Sequence, residues 1–109
     1  MKINYITYVL KSKLDNNFYV GYTTNLDQRL DEHKSGRVKS TNARRPFEVV
    51  YYEVCCNQKD ALHREKYLKS SYGKRYIKNR LKNYLCNEIW LISFVFDGVE
   101  KLKVVFQRR

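Results

Sequence analysis

Residues Tyr19 to Gly36 read Tyr-Val-Gly-Tyr-Thr-Thr-Asn-Leu-Asp-Gln-Arg-Leu-Asp-Glu-His-Lys-Ser-Gly. Together with Phe18, the opening residues are aromatic or β-branched and predict a strand. Thr23, Thr24 and Asn25 then offer N-cap side chains, Leu26 and Leu30 recur at a spacing of four, and Gly36 closes the segment, so a short helix follows. The flanks organise around this strand-to-helix step. Upstream, Asn4–Leu10 reads as another strand, and the turn material Asp15-Asn16-Asn17 makes a hairpin of the two. Downstream, Arg37–Pro46 is a basic loop and Phe47–Cys56 a third strand. Asn57 caps a second helix of about Lys59–Lys69, with Asp60 in its first turn. Ser70–Gly73 interrupts, and a third helix, about Lys74–Leu85, packs through Ile77, Leu81 and Leu85. The order β-β-α-β-α-α is an α+β pattern: a small three-stranded antiparallel sheet flanked by helices. Beyond it, Ile89–Phe96, Asp97-Gly98 and Val99–Gln107 signal an extra C-terminal β-hairpin with an Asp-Gly turn. The expected division is therefore residues 1–85 and an extension, residues 86–109.

Charge narrows the partners. The 109 residues carry 22 Lys and Arg against 11 Asp and Glu, a formal net charge of +11. With 43% hydrophobic and 15% aromatic residues the chain holds enough apolar matter for a core, so it is not a disordered polybasic tail. A folded domain this basic meets a polyanion. No apolar run reaches membrane-spanning length, and Lys2, Lys11 and Lys13 break up any signal-like stretch near the N-terminus. Cys55, Cys56 and Cys86 form neither a disulfide framework nor a CxxC zinc pattern, which fits a reducing, cytoplasmic location. Residues 1–85 hold +10 of the charge and the extension only +1. Two clusters stand out, Arg37, Lys39, Arg44 and Arg45 in the loop and nine basic residues between Lys59 and Lys82, among them Lys69, Lys74, Arg75 and Lys78. Each is either a solvated face or part of a footprint for a phosphate backbone.

Several residues sit oddly for pure packing. Arg29 and His33 lie four apart and border the leucine stripe of their helix; they are a snorkelling Arg and a surface His, or functional groups. Glu65 falls among Ala61, Leu62 and Leu68 on the apolar face, where a carboxylate needs a cation: an Arg such as Arg29 in a structural ion pair, or a metal. His63 is expected to face solvent. Gly21 weakens its strand unless something approaches closely. A phenol such as Tyr8 or Tyr19 near Arg or His can act as a base, Arg can stabilise a charged phosphate, and one carboxylate can hold one hard cation.

Tyr8, Tyr19-Val20-Gly21, Arg29, His33 and a helical Glu65, in that order, resemble the GIY-YIG nuclease superfamily. The likeness extends to Ser40-Thr41, Arg44-Arg45-Pro46 and Ala61–Lys69, and covers residues 3–85. Ile6-Thr7-Tyr8 departs from the usual Gly-Ile-Tyr, losing its glycine but keeping the tyrosine. The resemblance implies metal-dependent hydrolysis of DNA phosphodiesters. It makes Arg29 the ligand of the scissile phosphate, Glu65 the ligand of a single Mg²⁺ or Mn²⁺, and His33 an assistant to the tyrosine that activates water. Either Tyr8 or Tyr19 fills that last role. Gly21 and Asn79 support the site. DNA is the implied partner, with no membrane and no small-molecule organic cofactor. Two other readings remain: a nucleic-acid-binding module with weak or lost nuclease activity, and an interaction protein. An exposed apolar hairpin at the C-terminus would favour self-association.

Overall fold

The computed structural model describes residues 3–88 and the short segments 97–98 and 100–101. The chain falls into two compact units, Met1–Lys74 and Arg75–Arg109.

In the first unit, β1 (Tyr5–Ser12) is the centre of a three-stranded antiparallel sheet, between β2 (Phe18–Thr23) and β3 (Phe47–Cys55). Its last six residues are all buried, so it is covered on both faces. The β1–β2 turn is held by Ser12, whose Oγ accepts from the backbone N–H of Leu14 and Asp15, while Asn16 takes a left-handed φ of 61°. Asparagine tolerates that conformation. The β1–β3 pairing shifts register between Val9 and Leu10.

Alternation along β1 sends Thr7 and Tyr8 to opposite faces. The Thr7 hydroxyl donates to the carbonyl of Ala61 in α2 (Gln58–Lys69) at 2.8 Å. Helix α2 covers that face, burying Ala61 and Leu68. Leu62, expected on this buried stripe, is instead 42% exposed. Two residues on, Arg64 pairs with Glu53 of β3, at 2.7 Å. The opposite face meets α1 (Leu26–Lys34) through His33. Helix α1 is capped by Asn25, whose side chain accepts from the Gln28 N–H, and is closed by Gly36 at φ 85°.

The interruption after α2 is shorter than the sequence suggests. Ser70 donates to the Tyr67 carbonyl and accepts from the Gly73 N–H, so one residue ends α2 and caps α3 (Ser71–Arg80). Gly73 lies so close that a Cβ there would stand 2.2 Å from the Tyr67 carbonyl oxygen, which explains the glycine. The expected single helix to Leu85 is divided at Leu81 into α3 and α4 (Lys82–Glu88). Backbone bonds from Leu81 to Ile77 and from Leu85 to Leu81 carry helical spacing across that division. Among the described residues, no helix is long and apolar enough to cross a membrane.

In the extension, β4 (Asp97–Gly98) pairs antiparallel with β5 (Glu100–Lys101). Asp97 and Gly98 are thus themselves paired, instead of forming the two-residue turn. The rest of the expected hairpin, and any self-association through it, lies outside the described residues.

Candidate active site

Tyr8 is the centre of the site. It is fully buried in β1, directly opposite Gly21 of β2. A Cβ at position 21 would come within 2.4 Å of the phenol Cζ and oxygen. The glycine is therefore the space in which the Tyr8 ring lies.

From that ring a hydrogen-bonded row crosses to α1 and the basic loop. Tyr8 Oη is 2.8 Å from His33 Nε2, and His33 Nδ1 is 2.8 Å from Thr41 Oγ1. His33 is 2% exposed and is the buried residue of α1, so the alternative of a surface histidine is overturned. Its burial costs little because both ring nitrogens find partners inside. Tyr19 packs edge-on against it with ring centroids 5.2 Å apart, and Phe47 lies at 6.3 Å. Tyr8 and Tyr19 are themselves 6.5 Å apart.

The charged groups stand around this cluster. Arg29 is half-exposed and pairs with Glu32 one turn on, at 3.0 Å. Glu65 is 20% exposed and pairs with Lys69 at 3.2 Å. The alternative of a structural Arg29–Glu65 ion pair is therefore not what forms: each has a closer partner on its own helix. Both still act on the Tyr8 phenol. Burial pushes Tyr8 up to about 12, with Tyr19 and the Glu65 carboxylate adding to the rise and Arg29 opposing it. Burial also holds His33 below the usual histidine value of 6.5; the Arg29 charge adds to this and Glu32 opposes it. His33 is thus neutral at pH 7, with one ring nitrogen free to accept a proton.

Other expected site residues are placed less centrally. Arg44 makes two bonds to Asp15, at 2.8 and 3.3 Å, and lies over the Phe47 ring. It is a clamp between the β1–β2 turn and the loop, which leaves it little reach for a phosphate. Arg45 donates to the carbonyls of Lys34 and Asn42, and tethers the loop to the end of α1. Arg37, Lys39 and Lys74 are exposed, as is His63. Arg75, Lys78 and Asn79 are exposed on α3 in the second unit. A cavity of about 590 Å³ opens between α1, β3 and the loop, and touches the row at His33, with Lys34, Arg45 and Phe47 also on its walls. Thr41 is the site residue that sequence reasoning missed as a participant. It is fully buried, yet it stands in a Ser/Thr/Asn loop without periodicity, where nothing local sets it apart from Ser40.

The model of the GIY-YIG catalytic domain matches residues 4–82. The chain belongs to the GIY-YIG nuclease family. It is 38% identical over 72 residues to a UPF0213 protein of Staphylococcus haemolyticus, covering 65% of this chain and 87% of that one. It is 37% identical over 73 residues to the UPF0213 protein YazA of Bacillus subtilis, covering 66% and 73%. A UPF0213 protein of Bacillus halodurans solved in solution by NMR is 32% identical, with a TM-score of 0.47 over 71% of this chain and 84% of that one. Membership in the GIY-YIG family implies a nucleic-acid substrate and, in general, dependence on a divalent metal.

Among the described residues no three His, Cys, Asp or Glu side chains gather into a metal cage. The donor set fits a different kind of metal site. Glu65 offers hard carboxylate oxygens at 20% exposure, and its partner Lys69 is a 57%-exposed side chain. Mg²⁺ is commonly held in this way, by one or two carboxylates with water and phosphate oxygens completing the shell.

Proposed function

We propose that this chain is a DNA endonuclease that hydrolyses phosphodiester bonds with one divalent metal, Mg²⁺ or Mn²⁺, held by Glu65. The observation that carries this reading is the fully buried Tyr8 phenol, bonded to a neutral His33 and acted on by both Arg29 and Glu65. A buried phenol–imidazole pair, within the electrostatic reach of a guanidinium and a carboxylate, is the arrangement this chemistry calls for.

The chemistry follows from proton positions. Tyr8, not Tyr19, is the tyrosine hydrogen-bonded to His33, and we assign it the base role. A phenol held near 12 does not ionise at neutral pH. It works as a relay: as water attacks phosphorus, the water proton passes to Tyr8 Oη while the tyrosine's own proton passes to His33 Nε2. The P–O bond to the leaving oxygen breaks, that oxygen takes its proton from solvent, and His33 afterwards returns its proton through Tyr8 to solvent, which restores the row. Arg29 gives up Glu32 to hold the phosphate, stabilising the charge that builds on its oxygens. When bound, the metal supplies Lewis-acid polarisation of a phosphate oxygen. Tyr19 and Phe47 keep the His33 ring in place. The exposed Arg37, Lys39 and Lys74, with Lys69 once it leaves Glu65, grip neighbouring phosphates. Within the second unit, Arg75 and Lys78 are further candidates for phosphate contact and Asn79 for support of the site. The three unpaired cysteines suit a reducing, cytoplasmic compartment.

Incubation of the full chain with plasmid and branched DNA plus Mg²⁺ or Mn²⁺ tests the reading. Glu65→Gln and Arg29→Ala are each expected to lose cleavage by at least about 10²-fold while still retarding DNA in a gel. Cleavage that survives both substitutions sinks the assignment. Binding by the wild type without cleavage on any substrate makes the chain a binding module instead.

A further inference from the structure

The row Tyr8–His33–Thr41 has a direction, and the direction gives the buried threonine a task. Arg29 is a donor only, and it bears on the Tyr8 oxygen. Among the described residues the phenol has one acceptor within hydrogen-bond distance, His33 Nε2 at 2.8 Å. Tyr8 is fully buried. If His33 carried its proton on Nε2, both groups would point hydrogens at each other or the phenol proton would be orphaned inside the protein. At the far end, the Thr41 hydroxyl has a carbonyl to donate to, Val38 O at 3.3 Å, and so accepts at 2.8 Å from His33 Nδ1. Turning the ring over would set carbon atoms against both hydroxyls. The whole row is satisfied in one sense only: Tyr8 to His33 to Thr41 to Val38.

We infer that Thr41 is a positioning residue whose hydroxyl oxygen holds His33 as the Nδ1–H tautomer and thereby keeps Nε2 open as the acceptor for the Tyr8 proton. Thr41 touches neither the phenol nor the phosphate and acts through the imidazole alone. The other charged or titratable groups around the ring are Tyr19 of β2 and Arg29 and Glu32 of α1. None of them reaches Nδ1 within hydrogen-bond distance among the described residues, so Thr41 is the group that takes the Nδ1 proton.

The inference rests on the proposed nuclease chemistry for its consequence but not for its test. The full chain, labelled with ¹⁵N on histidine, is examined at about pH 8 by long-range ¹H–¹⁵N NMR, which separates protonated from unprotonated ring nitrogens. Wild-type His33 is expected to show a protonated Nδ1 and a bare Nε2. Thr41→Val keeps the shape, removes the acceptor and is expected to move proton density to Nε2. Cleavage should fall on the order of 10²-fold, the low end for a positioned acid–base group. Thr41→Ser restores the oxygen and should recover both the wild-type spectrum and cleavage to within about threefold of wild type. A wild-type Nε2–H tautomer overturns the inference, as does a folded Thr41→Val that keeps Nδ1–H. If Thr41→Val fails to fold, the wild-type and Thr41→Ser spectra still decide it. A wild type with the expected spectrum but no cleavage on any DNA leaves the tautomer assignment intact and defeats the nuclease reading alone.

Discussion

At the residue scale, Gly21 and Tyr8 are one unit divided between two strands. Sequence shows a glycine where a strand should not want one, and the structure supplies the reason, a tyrosine ring lying 2.4 Å from where its Cβ would be. Gly21→Ala should therefore destabilise the fold by about 1–3 kcal/mol, the usual cost of overpacking a filled core, and displace the phenol. Denaturant unfolding measures the first effect and the loss of cleavage the second; an alanine variant of unchanged midpoint contradicts the packing. His33 makes a pH prediction. Its burial holds the native pKa below 6.5, so above that value neither the folded nor the unfolded chain binds the extra proton. As pH falls through 6.5 the unfolded chain takes up a proton that the native site resists. Stability then drops until the native pKa is passed and is level below it. Cleavage should lose its acid limb in the same window, because a protonated Nε2 cannot accept from Tyr8. Urea midpoints between pH 8 and pH 5 check the sign: the advantage of wild type over His33→Gln should shrink on acidification.

At the element scale, α2 carries Glu65, the carboxylate proposed to hold the metal, and both its ends are capped. Asn57 accepts from the N–H groups of Lys59 and Asp60, and Ser70 closes the other end. Asn57→Ala should cost about 1 kcal/mol, read as a lowered unfolding midpoint. The elements themselves were legible in order and type, because period-two and helical patterns with Asn caps survive any packing. Their inward faces were less so. The Ala61, Leu62, Leu68 pattern implied a broad buried stripe, but of these Ala61 and Leu68 are buried and Leu62 is exposed, while Arg64 pairs with Glu53 of β3. In α1 the leucines suggested the core, yet the histidine is the buried residue, because its partners Tyr8 and Thr41 come from elsewhere in the chain. Spacing along one helix cannot report a partner on another element.

At the scale of the whole molecule, the net charge of +11 carries a prediction about the proposed DNA partner. A footprint made by Arg37, Lys39, Lys69 and Lys74 predicts DNA affinity that falls steeply with salt. Each contacted phosphate contributes about 0.9 to the slope of log K against log salt on duplex DNA. Arg37→Gln with Lys39→Gln should lower that slope by about 2, while Arg44→Gln should hardly change it because that side chain is held by Asp15. Fluorescence-anisotropy titrations from 50 to 200 mM salt distinguish the two. An equal fall in slope for both variants would mean that Arg44 leaves its clamp to meet the backbone.

The sequence by itself determined the strand and helix order and the basic character, since periodicity, caps and charge are properties of local sequence, and its resemblance to the GIY-YIG family singled out Tyr8, Tyr19, Arg29, His33 and Glu65 as candidates. Only the tertiary structure decided which partners those residues meet. It chose Tyr8 over Tyr19 as the phenol bonded to His33, set Arg29 against Glu32 and Glu65 against Lys69, turned Arg44 into an internal clamp, and brought Thr41 beneath the imidazole. The physical reason is the same throughout. A buried polar group must find its partner across space, and hydrogen bonds between residues 8, 33 and 41 exist only once the central strand, the first helix and the basic loop have met.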